Sequence, residues 1–274
     1  MHYQHRYHAG NFADVFKHLL LIGLLQGLNR KDKPWLYLET HAGAGRYDLR
    51  DDAATRTAEW QDGIGRLWGA RSADPLIGKL LEIVAAENSG QLQWYPGSPR
   101  IAATLARPGD RLVLCEKVPQ VAAELRYAGK DLTVHVRDGY EAHSLLPPPE
   151  KRGLVLIDPP FEARDEFDTV AEFLSRALAR FAGGVFAVWY PVKNRHEAQR
   201  FVRRVQRETT QPLLDLQFDS GAHGEGQLRA CGLLVINPPF RFAEAAGPAL
   251  DELARKLAQG RKAAARIEWL RSDE

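Results

Sequence analysis

An acid, two prolines and an aromatic, Asp158-Pro159-Pro160-Phe161, close the apolar run Gly153-Leu154-Val155-Leu156-Ile157. Neither proline has a backbone N–H to give, and each pins φ, so a strand must stop here and the following loop must be stiff. One chemistry suits this set well. An exocyclic amine on a nucleobase is a poor nucleophile, because its lone pair is conjugated into the ring. A carboxylate and a rigidly aimed proline carbonyl can accept both amino hydrogens and draw that nitrogen towards tetrahedral geometry. An aromatic face can stack on a base taken out of its helix. A proline-rich turn after a core strand would use the same residues, so the tetrapeptide alone does not separate the two readings.

Other residues that could do chemistry fall at strand ends. Trp35 to Thr40 reads as a strand and runs straight into His41-Ala42-Gly43-Ala44-Gly45-Arg46-Tyr47. Glycines one residue apart after a strand let the backbone approach a nucleoside closely. The third glycine of the dinucleotide fingerprint is missing, since Asp48 stands in its place, which weakens an NAD reading. Arg111 to Cys115 ends in Glu116, and Leu132 to Val136 leads to Asp138-Gly139. An acid after the second strand is placed to hold ribose hydroxyls. A glycine loop followed by Glu116, Asp138 and Asp158 in this order predicts a site rather than scattered surface acids.

The elements that must position these groups follow from hydrophobic period. The run 153–157 is apolar without alternation, as in a strand buried on both faces. Asn11 is a good N-cap for a helix over Phe12 to Leu28, with Val15, Leu19, Ile22 and Leu25 at helical spacing. By that pattern alone Lys17 is a surface residue and His18 an edge residue. Residues 50–95 look helical and amphipathic, an insertion between the first strand and its helix. That helix is predicted to start at Pro96-Gly97-Ser98-Pro99, with Ser98 as N-cap and its N-terminus facing the Gly43 loop. Beyond Asp158 come a helix (Val170 to Phe181), a strand (Val185 to Tyr190) and a basic helix (His196 to Arg207). A hairpin then pairs Leu213–Phe218 with Leu233–Ile236. It ends in Asn237-Pro238-Pro239-Phe240, a second copy of the motif. A strand returning through a hairpin runs antiparallel, so its carboxyl end faces away from the binding edge. Asn237 to Phe240 is therefore expected to be a plain turn. From about Ala243 a basic helical tail is expected, with a last short strand at Ile267 to Leu270.

Composition bounds the class. The chain has 274 residues, enough for one large core, with 45% hydrophobic and 26% charged residues. Cys115 and Cys231 lie in apolar runs and offer no zinc or disulfide spacing. The apolar run Leu19 to Leu25 is too short to span a bilayer, and Asp14 argues against a signal peptide, so a cytoplasmic protein is expected. The net charge of +2 hides two basic windows, Lys193, Arg195, Arg200, Arg203, Arg204, Arg207 and Arg255, Lys256, Arg261, Lys262, Arg266, Arg271. Such clusters are footprints for phosphate backbones or plain solvated faces.

Assembled, the stretches HAGNFADVFKH, KPWLYLETHAGAGRY, QWYPGSP, RGLVLIDPPF, VWYPV and LLVINPPF resemble class I S-adenosylmethionine-dependent methyltransferases. More narrowly they are similar to the family that methylates one adenine at N6 in bacterial 23S ribosomal RNA, known by the letter J among large-subunit rRNA methyltransferases. The resemblance covers essentially the whole chain. It implies one α/β, Rossmann-like domain over 1–274, its mostly parallel sheet carrying an antiparallel strand near one edge and a small helical insertion. It implies S-adenosyl-L-methionine as cofactor, 23S rRNA as partner, a monomer, and no metal. Cofactor contacts would fall on Lys17, His18, His41, Gly43, Ser98, Glu116, Asp138, Gly139 and Asp158. Asp158, Pro159 and Phe161 would be catalytic, and Tyr3, His5 and Phe161 would meet the target base. The family often reads DPPY; Phe161 keeps the stacking face and lacks the hydroxyl. The alternatives are guanine N2 in rRNA and adenine N6 in DNA.

Overall fold

The computed structural model describes residues 5–126, 132–224 and 227–272. Among them the strands are β1 (Leu36–Glu39), β2 (Arg46–Asp48), β3 (Trp94–Pro96), β4 (Arg111–Glu116), β5 (Leu132–Val136), β6 (Gly153–Ile157), β7 (Val185–Pro191), β8 (Leu213–Asp219), β9 (Ala230–Ile236) and β10 (Ala264–Arg271). The helices are α1 (Phe12–Asn29), α2 (Asp52–Thr57), α3 (Ile64–Leu67), α4 (Pro75–Ala86), α5 (Ser98–Leu105), α6 (Pro119–Arg126), α7 (Glu166–Arg180), α8 (Arg195–Glu208) and α9 (Phe242–Lys256). None is long and apolar enough to cross a membrane.

Eight strands form one sheet in the order β10-β8-β9-β7-β6-β1-β4-β5. The five from β7 to β5 run parallel. The expected mostly parallel α/β sheet is therefore present. From β1 the chain winds outward through β4 to β5, then returns to place β6 on β1's other side. The crevice outside the carboxyl ends of β1 and β6 is thus the topological switch point, where open α/β sheets bind ligands. Side chains alternate across the sheet. Tyr37, Leu112, Leu114, Leu154 and Leu156 join the core under α1, α5 and α9, whereas Leu38, Val113, Val155 and Ile157 join the core under α7 and α8. Both faces being covered explains why β6 is apolar throughout, each buried aliphatic contributing roughly 1.5–3 kcal/mol.

The expected antiparallel strand near one edge is β9, between β7 and β8; β10 also runs antiparallel, pairing with β8 at the sheet's edge. Two expectations need correction. β10 is longer than the four residues expected, because Arg266 and Trp269 are exposed and the rest is at most half-buried on this edge strand, which masks its apolar pattern. Gly97, not Ser98, is the N-cap of α5; the Ser98 hydroxyl is used elsewhere. As expected, the start of α5 meets the glycine loop, with Gly97 N–H donating to the Gly45 carbonyl at 2.9 Å. The helical segment α2 to α4 is bracketed by the antiparallel β2–β3 ribbon. Its Ile64, Leu67, Leu80 and Val84 share the core of α1.

Candidate active site

Asp158 stands at the carboxyl end of β6 with its side chain 14% exposed. Lys17 Nζ, from α1, donates to Asp158 Oδ2 at 2.6 Å and to Asp14 Oδ1 at 2.8 Å. The Lys17 side chain is only 5% exposed, so the surface position expected from its helical phase is wrong. Burial favours the neutral amine, but the two carboxylates overcome it and hold the Lys17 pKa well above the ordinary lysine value. Asp14 is itself fixed. Its Oδ2 accepts the Gly10 N–H at 3.0 Å, and its own N–H goes to the Asn11 cap at 2.9 Å. An N-cap, an acid one turn inside the helix and a lysine beyond it thus fix the orientation of the Asp158 carboxylate.

The glycine loop lies beside this group. Gly43 and Gly45 have φ of 64° and 75°, a conformation that costs other residues about 1–2 kcal/mol. The Gly43 N–H donates to Glu116 Oε2 at 3.0 Å, so the ends of β1 and β4 are joined through a carboxylate. Asp138 caps a short turn by accepting the Tyr140 N–H at 3.0 Å, and Lys117 pairs with its other oxygen at 2.8 Å. Burial alone would raise the Asp138 pKa; Lys117 and the Tyr140 amide outweigh it, and the pKa is lowered. At Gly139 a Cβ would fall 2.0 Å from the Thr40 carbonyl oxygen, so only glycine fits there. His41 is brought against the edge of Tyr140, and burial lowers its pKa to about 4, leaving the ring neutral at pH 7.

Sequence reasoning missed Glu39. It is fully buried at the end of β1, accepting the Tyr37 hydroxyl at 2.9 Å and the Ser98 hydroxyl at 2.5 Å. Burial raises its pKa to about 8; the two hydroxyls and the Lys17 charge pull the other way and lose. The signal was available: an acid ending an otherwise apolar strand, directly before the glycine loop.

A family model described as "Ribosomal RNA large subunit methyltransferase D, RlmJ" matches residues 32–271. Two proteins called ribosomal RNA large subunit methyltransferase J are similar over 98% of this chain and 98% of their own length. The Haemophilus influenzae protein is 36% identical and the Escherichia coli protein 38%. This chain belongs to the ribosomal RNA large subunit methyltransferase J family. A Legionella pneumophila protein of known crystal structure superposes with a TM-score of 0.89 at 35% identity, covering 96% of this chain and 98% of that one.

For a large subunit methyltransferase J, the expected site residues divide into four groups. Lys17, His41, Gly43, Ser98, Glu116, Asp138, Gly139 and Asp158 gather along one edge of the sheet, and Pro159 is buried beside them. His18 is fully buried behind Lys17, with Nδ1 2.8 Å from the Tyr95 hydroxyl and the two rings stacked. Tyr3 and the His5 side chain lie outside the described residues. Phe161 differs from expectation. Its φ is 50°, and its ring packs against Phe167 (4.9 Å) and Trp189 (5.9 Å), only 9% exposed. It is a wall of the motif loop before it is a stacking face. Asn237 ends β9, where Ile236 pairs with Phe186 near the start of β7, and its Nδ2 donates to the carbonyls of Ala182 and Gly184. The second motif copy therefore sits at the opposite edge from Asp158. Of the basic windows, Arg204 is held by Asp168 and Glu208, Lys256 by Glu252, and Arg271 binds carbonyls at the end of α8. Lys193, Arg195, Arg200, Arg203 and Arg207 are exposed.

Proposed function

We propose that this chain methylates N6 of an adenine in 23S rRNA, using S-adenosyl-L-methionine. The observation that carries the reading is the Lys17-held carboxylate of Asp158 at the switch point, beside a glycine loop and three strand-end acids. The residues fit the cofactor. The Gly43–Gly45 loop gives close backbone approach, Glu116 is placed to hold the ribose hydroxyls, and Asp138-Gly139 closes the far side. The glycine pattern lacks the third position that a pyrophosphate needs. When bound, the cofactor supplies an electrophilic methyl on a sulfonium.

The chain's own residues then position the amine. Lys17 occupies Asp158 Oδ2, and among the described residues no donor reaches Oδ1, which is left to accept one amino hydrogen. The Pro159 carbonyl, fixed by the ring that follows it, accepts the other. Asp158 need not be a strong base, because the amine proton becomes acidic only as the new bond forms. Positioning and exclusion of water supply most of the rate. By the family resemblance, Tyr3 and His5 would meet the target base.

Tritium transfer from S-adenosylmethionine to unmodified 23S rRNA, followed by nucleoside analysis, tests this. The label is expected in N6-methyladenosine. Label in N2-methylguanosine, or in DNA alone, would replace the reading with one of its alternatives.

A further inference from the structure

Two grooves open at the same sheet edge as Asp158, on either side of Lys193. One, about 400 Å³, is lined by Phe161, Arg164, Phe167, Pro191, Lys193 and Glu197, and so begins at the motif loop itself. The other, about 410 Å³, shares Lys193 and adds Arg195, Arg229 and Asp219. Topology brings them together: β7 and β8 end, and β9 begins, at the edge where β6 ends. Each groove holds more cations than acids. In the second, the one carboxylate is already shared by Arg229 at 2.8 Å and Arg195 at 3.6 Å. Arg164 and Lys193 are exposed and, among the described residues, have no carboxylate within 4.0 Å. Arg204 on the neighbouring helix is different, being held twice. Phe167 is half-buried, tilted against Phe161 at 4.9 Å and Phe201 at 5.1 Å, so its ring is rigidly mounted in the first groove.

A base brought to Asp158 must leave its helix, and its neighbours on the strand lose their stacking with it. Cationic grooves with an aromatic platform are what such unpaired nucleotides need, charges for the backbone and a ring for one base. We propose that these two grooves hold the single-stranded RNA adjoining the target base, with Arg164 and Lys193 on its phosphates and Phe167 stacking on a neighbouring base. This rests on the chain acting on RNA, and it adds the path of the strand.

The test is fluorescence anisotropy with a labelled single-stranded RNA oligonucleotide across a salt series. Arg164→Ala/Lys193→Ala should bind at least tenfold more weakly at low salt. Its log–log salt slope should fall by about 1.4, two single-strand phosphate contacts at about 0.7 each. Phe167→Leu should weaken binding several-fold and leave the slope unchanged. The thermal shift given by S-adenosylhomocysteine should be retained in all of these variants. If the double variant does not fold, Arg164→Gln and Lys193→Gln singly should each lose about half of that slope. Lys31→Ala/Lys33→Ala removes the same charge before the amino end of β1, at the opposite edge, and should behave as wild type. Wild-type affinity and slope in the groove variants, an equal loss in the Lys31/Lys33 control, or equally tight binding of a poly-glutamate peptide would overturn the proposal. Methyl transfer by the wild type is scored separately. Groove-dependent RNA binding without transfer would count against the proposed reaction and leave the grooves standing; transfer with an unchanged slope would do the reverse.

Discussion

The most heavily constrained residue in the site is Lys17, one buried ammonium between the buried Asp14 and the partly buried Asp158. Breaking a buried pair by deleting one partner typically costs about 3–5 kcal/mol, because the other charge stays behind unpaired. Lys17→Met should therefore lose about that much in urea unfolding at pH 7. A loss below about 1 kcal/mol, the scale of an exposed ion pair, would mean that the two carboxylates do not depend on this charge. Why the sequence did not disclose Lys17 is physical. α1 is buried almost all round, so a polar residue off the apolar stripe has no solvent to face and must find a partner inside. Glu39 makes a second case with the opposite sign. Its pKa rises from 4.5 to about 8 on folding, so the folded state holds more protons than the unfolded state between those values. Its contribution is fully favourable below about pH 4.5 and is lost as pH climbs through 8. Glu39→Gln keeps both hydroxyl partners and should flatten this decline. Stability profiles of the two proteins from pH 5 to 9 check it, and parallel curves would show that Glu39 titrates normally.

At the scale of elements, what could be read was whatever carries an uninterrupted or strictly periodic apolar pattern. The strand before Asp158 and the helix after Asn11 were found within a residue or so. The three-residue ribbon β2–β3 was invisible, since its order comes from pairing across the whole helical segment rather than from local preference. The motif loop itself was half legible. Two prolines announced a stiff turn, but the left-handed backbone at Phe161 cannot be inferred from them. That conformation makes an unusual prediction. Phe161→Ala should cost about 3–5 kcal/mol, as loss of a buried aromatic does elsewhere. Phe161→Gly removes still more surface, yet should be about 1 kcal/mol more stable than the alanine variant, because glycine alone takes positive φ without strain. Urea midpoints for the pair decide it. If alanine proves the better replacement, the loop relaxes away from this backbone once the ring is gone.

At the scale of the whole molecule, strand direction chooses between two near-identical motifs. Local chemistry does not separate Asp158-Pro159-Pro160-Phe161 from Asn237-Pro238-Pro239-Phe240, since an amide oxygen could also accept an amino hydrogen. The sheet does separate them. β6 runs with β1, so Asp158 emerges at the switch point beside Gly43 and Glu116; β9 runs against β7, so Asn237 emerges at the other edge, where Phe240 is 83% exposed. The hairpin that reverses β9 was recognisable in the sequence, and the reversal followed from it. The use Asn237 is put to was not, because its partners are carbonyls at Ala182 and Gly184, more than fifty residues away. Asn237→Ala should lose those two bonds and asparagine's tolerance of the left-handed region at a φ of 53°, a combined cost of about 2–3 kcal/mol. Its single-turnover methyl transfer, measured well below its lowered melting temperature, should stay within about twofold of wild type. Asp158→Asn keeps shape and removes the charge that Lys17 and the target amine both use. It should cut the same rate by at least about a hundredfold, since removing one well-placed electrostatic partner costs about 2.7–4 kcal/mol in comparable sites. A fully folded Asn237→Ala protein with no transfer, beside an active Asp158→Asn protein, would place the chemistry at the opposite edge of the sheet.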